Sequence, residues 1–149
     1  MYKKCALILF STAGALTLGT TAAMAGWASY GNTPPTTLGT STWVCGTTKP
    51  VTTDGSVVSQ GCTVRTADGQ YIQGAVIVRN NRTSAFTTNA GMATFYLNGS
   101  LHGSWGCSSS GVAANSWSVC FGTTVPASIY YYYTGGYANN VPLPSSGNN

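Results

Sequence analysis

The chain has 149 residues, of which only 5% are charged: six Lys or Arg against two Asp or Glu, a net charge of +4 with histidine neutral. Ordinary soluble domains carry about 25% charged residues, so Thr, Ser, Asn, Gln, Gly and Tyr must cover this surface instead. The few cations do not cluster, which argues against nucleic acid, where neutralising phosphates needs grouped Lys and Arg.

Residues 1–25 carry the three-part pattern of a cleavable signal peptide. Lys3 and Lys4 form the basic start, residues 6–18 the apolar stretch, and Ala23-Met24-Ala25 the small-residue site, with cleavage expected before Gly26. The apolar stretch is too short and too hydroxylated to span a bilayer, which takes about 20 apolar residues. No membrane span is expected after cleavage. The expected location is secreted or cell-surface, and periplasmic in a Gram-negative source. Cys5 precedes the apolar stretch, the wrong place for a lipid-modified cysteine.

The remainder reads as one domain in three parts: an extended polar segment over residues 26–40, a β domain over 41–140 and a flexible tail over 141–149. It keeps Lys49, Arg65, Arg79 and Arg82 against Asp54 and Asp68, four cations and two carboxylates, a net +2. Such a neutral, hydrogen-bonding surface repels its own copies weakly. Four cysteines remain, Cys45, Cys62, Cys107 and Cys120, an even set that implies disulfides in an exported chain. The expected pairs are Cys45–Cys62 and Cys107–Cys120, each close in sequence around a turn-rich stretch. Each closed loop contributes about 3 kcal/mol through the entropy of the unfolded chain. Because both pairs are local, a bridge between sheets of the immunoglobulin kind is not expected.

Strand signals then follow one another. Residues 41–45 form a short strand with Trp43 and Cys45 on one face. Lys49-Pro50 and Asp54-Gly55 read as turns. Residues 56–66 alternate, with Val58, Cys62 and Val64 on one face and Ser59, Thr63 and Arg65 on the other, the pattern of a half-buried strand. Asp68-Gly69 reads as a tight hairpin. Residues 71–79 are apolar on both faces, which marks a central strand. Asn98-Gly99 predicts a two-residue type I′ turn inside a hairpin over residues 92–105, with Met92 opposite Trp105, Phe95 opposite His102 and Tyr96 opposite Leu101. Residues 115–122 place Trp117, Val119 and Phe121 on one side, and Ser118 and Cys120 on the other. A strand over residues 129–134 would send two of Tyr130, Tyr131, Tyr132 and Tyr133 to each face. No 3.6-residue apolar period occurs outside the leader. The expected fold is all-β, an antiparallel β-sandwich or a small, partly open barrel.

Little of this sequence speaks for chemistry. Asp54 and Asp68 sit in Asp-Gly turns, where a carboxylate caps nearby backbone N–H groups. There is no G-x-S-x-G elbow around any serine. His102 is the single histidine, and no Cys-x-x-Cys spacing offers a zinc site. The chain is therefore read as a non-enzyme without cofactor or metal. The aromatics Trp27, Tyr30, Tyr130, Tyr131, Tyr132 and Tyr133 are the candidate interaction surface, because tyrosine offers rigid, amphipathic contact area. The leading expectation is a structural or adhesive protein that associates with itself or with another surface protein. The alternative is a monomeric module that binds neutral glycans through exposed Tyr and Trp.

Overall fold

The computed structural model describes residues 25–128 and 130–149, so the leader expected over residues 1–25 lies, apart from Ala25, outside the described residues. The described elements in chain order are β1 (Gly26–Gly31), a short 3-10 helix η1 (Pro35–Thr37), β2 (Thr42–Cys45), β3 (Lys49–Pro50), β4 (Val57–Arg65), β5 (Tyr71–Asn80), β6 (Phe86–Tyr96), β7 (Leu101–Val112), β8 (Ser116–Phe121), β9 (Val125–Pro126), β10 (Tyr132–Ala138) and β11 (Val141–Leu143). They build two antiparallel sheets. The first runs β1-β8-β5-β4-β2, with β3 also on β4 and β9 on β5; the second runs β11-β10-β6-β7. The sandwich expectation holds, and the two sheets share a core in which Val57, Val76 and Val78 of the first meet Ala90, Met92 and Ala138 of the second.

The first sheet is buried on both faces. On β5, Val76 and Val78 face the second sheet while Ala75 and Ile77 face away, and all four are at most 1% exposed. The outward face carries its own core of Cys62, Val64, Ala75, Ile77, Val119 and Phe121, with Tyr30, Trp43 and Trp117 packed on it. Topology explains the cover. β1 and β2 lie at opposite edges of the sheet, so the segment between them must cross one face, and the other face is taken by the second sheet. That segment carries η1, whose Pro35 is buried and which lies against β8.

On β4 the alternation is as expected, but the hydroxyl-bearing face is the one turned toward the second sheet. Ser59 and Thr63 are buried there. Their burial is tolerated because each hydroxyl finds a partner. Ser59 Oγ donates to Ile77 O, and Thr63 joins a buried group with Thr94, Thr134 and Ser146 at oxygen separations of 2.7–3.0 Å.

Both disulfides pair as expected, Cys45–Cys62 and Cys107–Cys120. The first joins directly opposed residues of β2 and β4. The second joins β7 to β8 and so ties one sheet to the other, which corrects the expectation that local pairs leave the sheets unbridged. The chain changes sheets in the short connection between these two strands, so residues near in sequence face each other across the core.

Four further expectations change. Lys49-Pro50 is a short edge pairing on Ser59 and Val58 rather than a turn, an acceptable place for a proline that cannot donate to the ladder. The hairpin tip has three residues, not two: Tyr96 N donates to Ser100 O, Gly99 N donates to Tyr96 O, and Gly99 takes φ 85°. This is a type I turn followed by a left-handed glycine. Phe95 therefore faces Leu101, and an irregularity before Gly103 restores the Met92–Trp105 pairing. Residues 26–31, expected as part of a polar extension, form β1 against β8.

Residues 141–149, expected as a flexible tail, instead close one flank of the sandwich. β11 pairs with β10, and beyond it Ser146 N donates to Thr134 O while Asn149 and Tyr132 exchange backbone hydrogen bonds. Asn149 Nδ2 reaches across to Thr42 O and Thr63 O of the first sheet, and Arg65 donates to Asn149 O. The polar composition suggested disorder, yet these side chains supply the bonds that sew the sheets together.

Candidate functional site

The six candidate aromatics part company. Trp27 is half-buried, packs on the inter-sheet core and donates through Nε1 to Ser108 O at 2.7 Å. Tyr30 packs near Phe121 in the outer core of the first sheet, and burial raises the pKa of its hydroxyl. Tyr132, at 1% exposure, has no surface to offer; its hydroxyl is held by Ser128 N and Oγ. Tyr133 is half-buried and stacked on Phe95 at 5.2 Å. Only Tyr130 and Tyr131 stand well into solvent, at 62% and 61% exposure, because β10 begins after them rather than at residue 129.

Tyr130 and Tyr131 are not isolated. Leu97 and Leu101 at the hairpin tip are 56% and 58% exposed, and Leu97 N donates to Tyr131 O. With Tyr96, Asn98, Ser100 and Ser128, the two tyrosines line a concavity of about 820 Å³ at this end of the sandwich. Sequence reasoning found the tyrosines but missed the leucines, because the two-residue turn placed Leu97 inside the ladder.

Beneath the patch, His102 Nδ1 lies 2.7 Å from Tyr96 Oη, and its ring packs edge-on against Tyr96 and Tyr132. Burial pushes the imidazole pKa down. The one-residue slip at the tip puts His102 beside Tyr96 rather than opposite Phe95. Arg65 stacks on the other side, 5.6 Å from the Tyr132 centroid, and donates to Gly69 O, Tyr130 O and Asn149 O.

The other charges serve the scaffold. Arg79 lies over Trp117 and Arg82 over Phe86, while Lys49 Nζ donates to Pro142 O. Asp54 Oδ1 accepts from Thr52 Oγ1, Ser56 Oγ and Ser56 N, with Arg82 3.3 Å away, and these neighbours hold its carboxyl well below the usual range. Thr66 and Gln70 N do the same for Asp68. Both carboxylates cap their turns. Among the described residues no three His, Cys, Asp or Glu side chains gather as a metal site would need, and no helix is long and apolar enough to cross a membrane.

No model of a known protein family matches the chain, and no curated protein matches it in sequence. The functional reading therefore rests on geometry.

One strand edge stands out in that geometry. β7 is the longest described strand, with twelve residues, and among the described residues no strand lies on its outer side, although its ladder with β6 shifts register twice and Trp27 Nε1 takes up Ser108 O. Its sequence, LHGSWGCSSSGV, holds no Lys, Arg, Asp, Glu or Pro. Natural edge strands are usually short, charged, bulged away or covered, because an open row of backbone N–H and C=O groups is a template for pairing. The remaining edges are much shorter: β1 has six residues, β2 has four, and β11 has three including Pro142. β7 starts at Leu101, so its open edge runs directly into the exposed patch.

Proposed function

We propose that this is an exported, non-catalytic structural or adhesive protein that associates through its β7 flank. The observation that carries this reading is the long, uncharged edge of β7, with no strand beside it and only Ser108 O taken up by Trp27, leading into Leu97, Leu101, Tyr130 and Tyr131. Main-chain hydrogen bonds along such an edge give affinity, and adjacent side chains give selectivity. A second copy is a suitable partner, since two β7 strands can pair antiparallel about a twofold axis with the same residues on both sides. No like charges would face each other in that pairing.

Light scattering and electron microscopy on the mature protein at neutral pH test the proposal. Discrete dimers or larger ordered assemblies are expected. The Ser109→Lys/Gly111→Lys double variant puts two charges on exposed edge positions and should shift the protein to monomer with its thermal midpoint nearly unchanged. A wild-type protein that stays monomeric at high concentration, or assemblies indifferent to the two lysines, would sink the idea.

A further inference from the structure

The outward face of the second sheet carries a second arrangement, separate from the β7 edge. Register sets three cross-strand rows on this face: Tyr137–Gly91–Gly106, then Gly135–Ala93–Ser104, then Tyr133–Phe95–Leu101. The middle row is bare. The outer rows carry aromatic rings, four residues apart along β6 and therefore roughly 13 Å apart at about 3.3 Å per residue. Between them lies a shallow trough of about 660 Å³.

The rings differ in posture. The Cβ that Gly91 lacks would fall 2.5–2.7 Å from Cε1, Cζ and Oη of Tyr137, so that ring lies down over the glycine, 41% exposed. Gly91 is needed to let the ring lie there. Gly106 and Gly135 are different. Neither has a positive φ, and a Cβ at either would meet only ordinary contacts, at 3.6 Å. The fold does not require glycine at these two places. Glycine inside a strand costs roughly 0.5–1 kcal/mol relative to alanine, and a strand glycine often marks a site where a ligand comes close to the backbone.

We infer that this trough is a binding site for a neutral polysaccharide, with the Tyr137 ring as a stacking platform and the bare middle row as the floor. The side chains lining the trough include no cation and no carboxylate, which suits an uncharged ligand and leaves an anionic one unpaired. The electron-rich face of an aromatic ring attracts the weakly positive edges of neighbouring groups, and the C–H face of a pyranose ring presents just such edges. The Ser104 hydroxyl and the Tyr137 phenol supply hydrogen bonding at either side of the floor. This site does not depend on association through β7.

Native gel electrophoresis through hydroxyethylcellulose, galactomannan or soluble starch tests it, with alginate as an anionic control. Retardation by at least one neutral polymer is expected. Tyr137→Ala should weaken it at least tenfold, and so should Ser104→Arg, which fills the floor from an exposed position and leaves the core untouched. Thermal midpoints of both variants report folding. The Ser109→Lys/Gly111→Lys variant should bind like the wild type, which separates this site from the association edge. Retardation by none of the neutral polymers, retardation by alginate alone, or full binding by a folded Ser104→Arg variant would overturn the assignment.

Discussion

Replacing Thr134 by valine should destabilise the protein more than replacing Thr94, although both side chains are fully buried hydroxyls of the same group. The difference follows from the direction of the hydrogen bonds. Ser146 Oγ donates its proton to Gly147 O at 2.9 Å and accepts from Thr134 N at 2.8 Å. Its proton is committed, so Thr63 must donate to Ser146, Thr134 to Thr63 and Thr94 to Thr134. The chain thus has a beginning at Thr94 and an end at Gly147. Thr94→Val removes the first donor and leaves Thr134 still donating, a loss of about 0.5–1.5 kcal/mol for one net bond. Thr134→Val takes away that bond's acceptor and leaves the buried Thr94 hydroxyl orphaned, at about 1–3 kcal/mol, and it also removes the bond to Thr63. The total is roughly 2–4 kcal/mol. Urea unfolding with disulfides intact measures both, with the slope m checked for constancy. A Thr94→Val variant as unstable as Thr134→Val would refute the assigned direction.

Two other outcomes are expected. Cys107→Ala/Cys120→Ala should lose about 3 kcal/mol from loop-closure entropy, plus the packing of two buried sulfurs, by urea unfolding; a loss below about 1 kcal/mol would show that the unfolded chain gains little from the cut. His102 should titrate below its ordinary value of about 6.5, because burial favours the neutral ring. The unfolded chain then binds the proton first, so this group's contribution to stability is full above pH about 6.5 and declines as pH falls toward the lower folded value. Imidazole NMR shifts followed against pH check this, and a midpoint at or above the ordinary value contradicts it.

The strands were legible in the sequence wherever one physical signal acted alone. Apolar residues on both faces of β5 announced a central strand, and local cysteine spacing announced both disulfides. What escaped depended on partners distant in the chain. The polar tail looked unable to bury anything, yet Ser146 and Asn149 find acceptors and donors 83 to 107 positions earlier, at Thr63 and Thr42. β4 looked half-buried because a Ser/Thr face normally meets water; here it meets another hydroxyl face. Asn98-Gly99 fits either a two-residue or a three-residue hairpin, and the choice between them decided whether Leu97 and His102 joined the site. The tyrosine run was visible, but which of its members stay outside depended on where β10 begins. The trough on the second sheet needed the cross-strand register and could not be read from any one segment.

The closed flank has a consequence for how many neighbours this molecule can hold. Residues 144–149 lie along β10 beyond β11, and Asn149 reaches Thr42 O and Thr63 O of the first sheet, so the long edge left to the second sheet is that of β7. Two such molecules joined edge to edge satisfy each other and stop, as any twofold contact does. The contact proposed for β7 would therefore give each molecule one neighbour. An array longer than such a pair would need a second contact on a different surface.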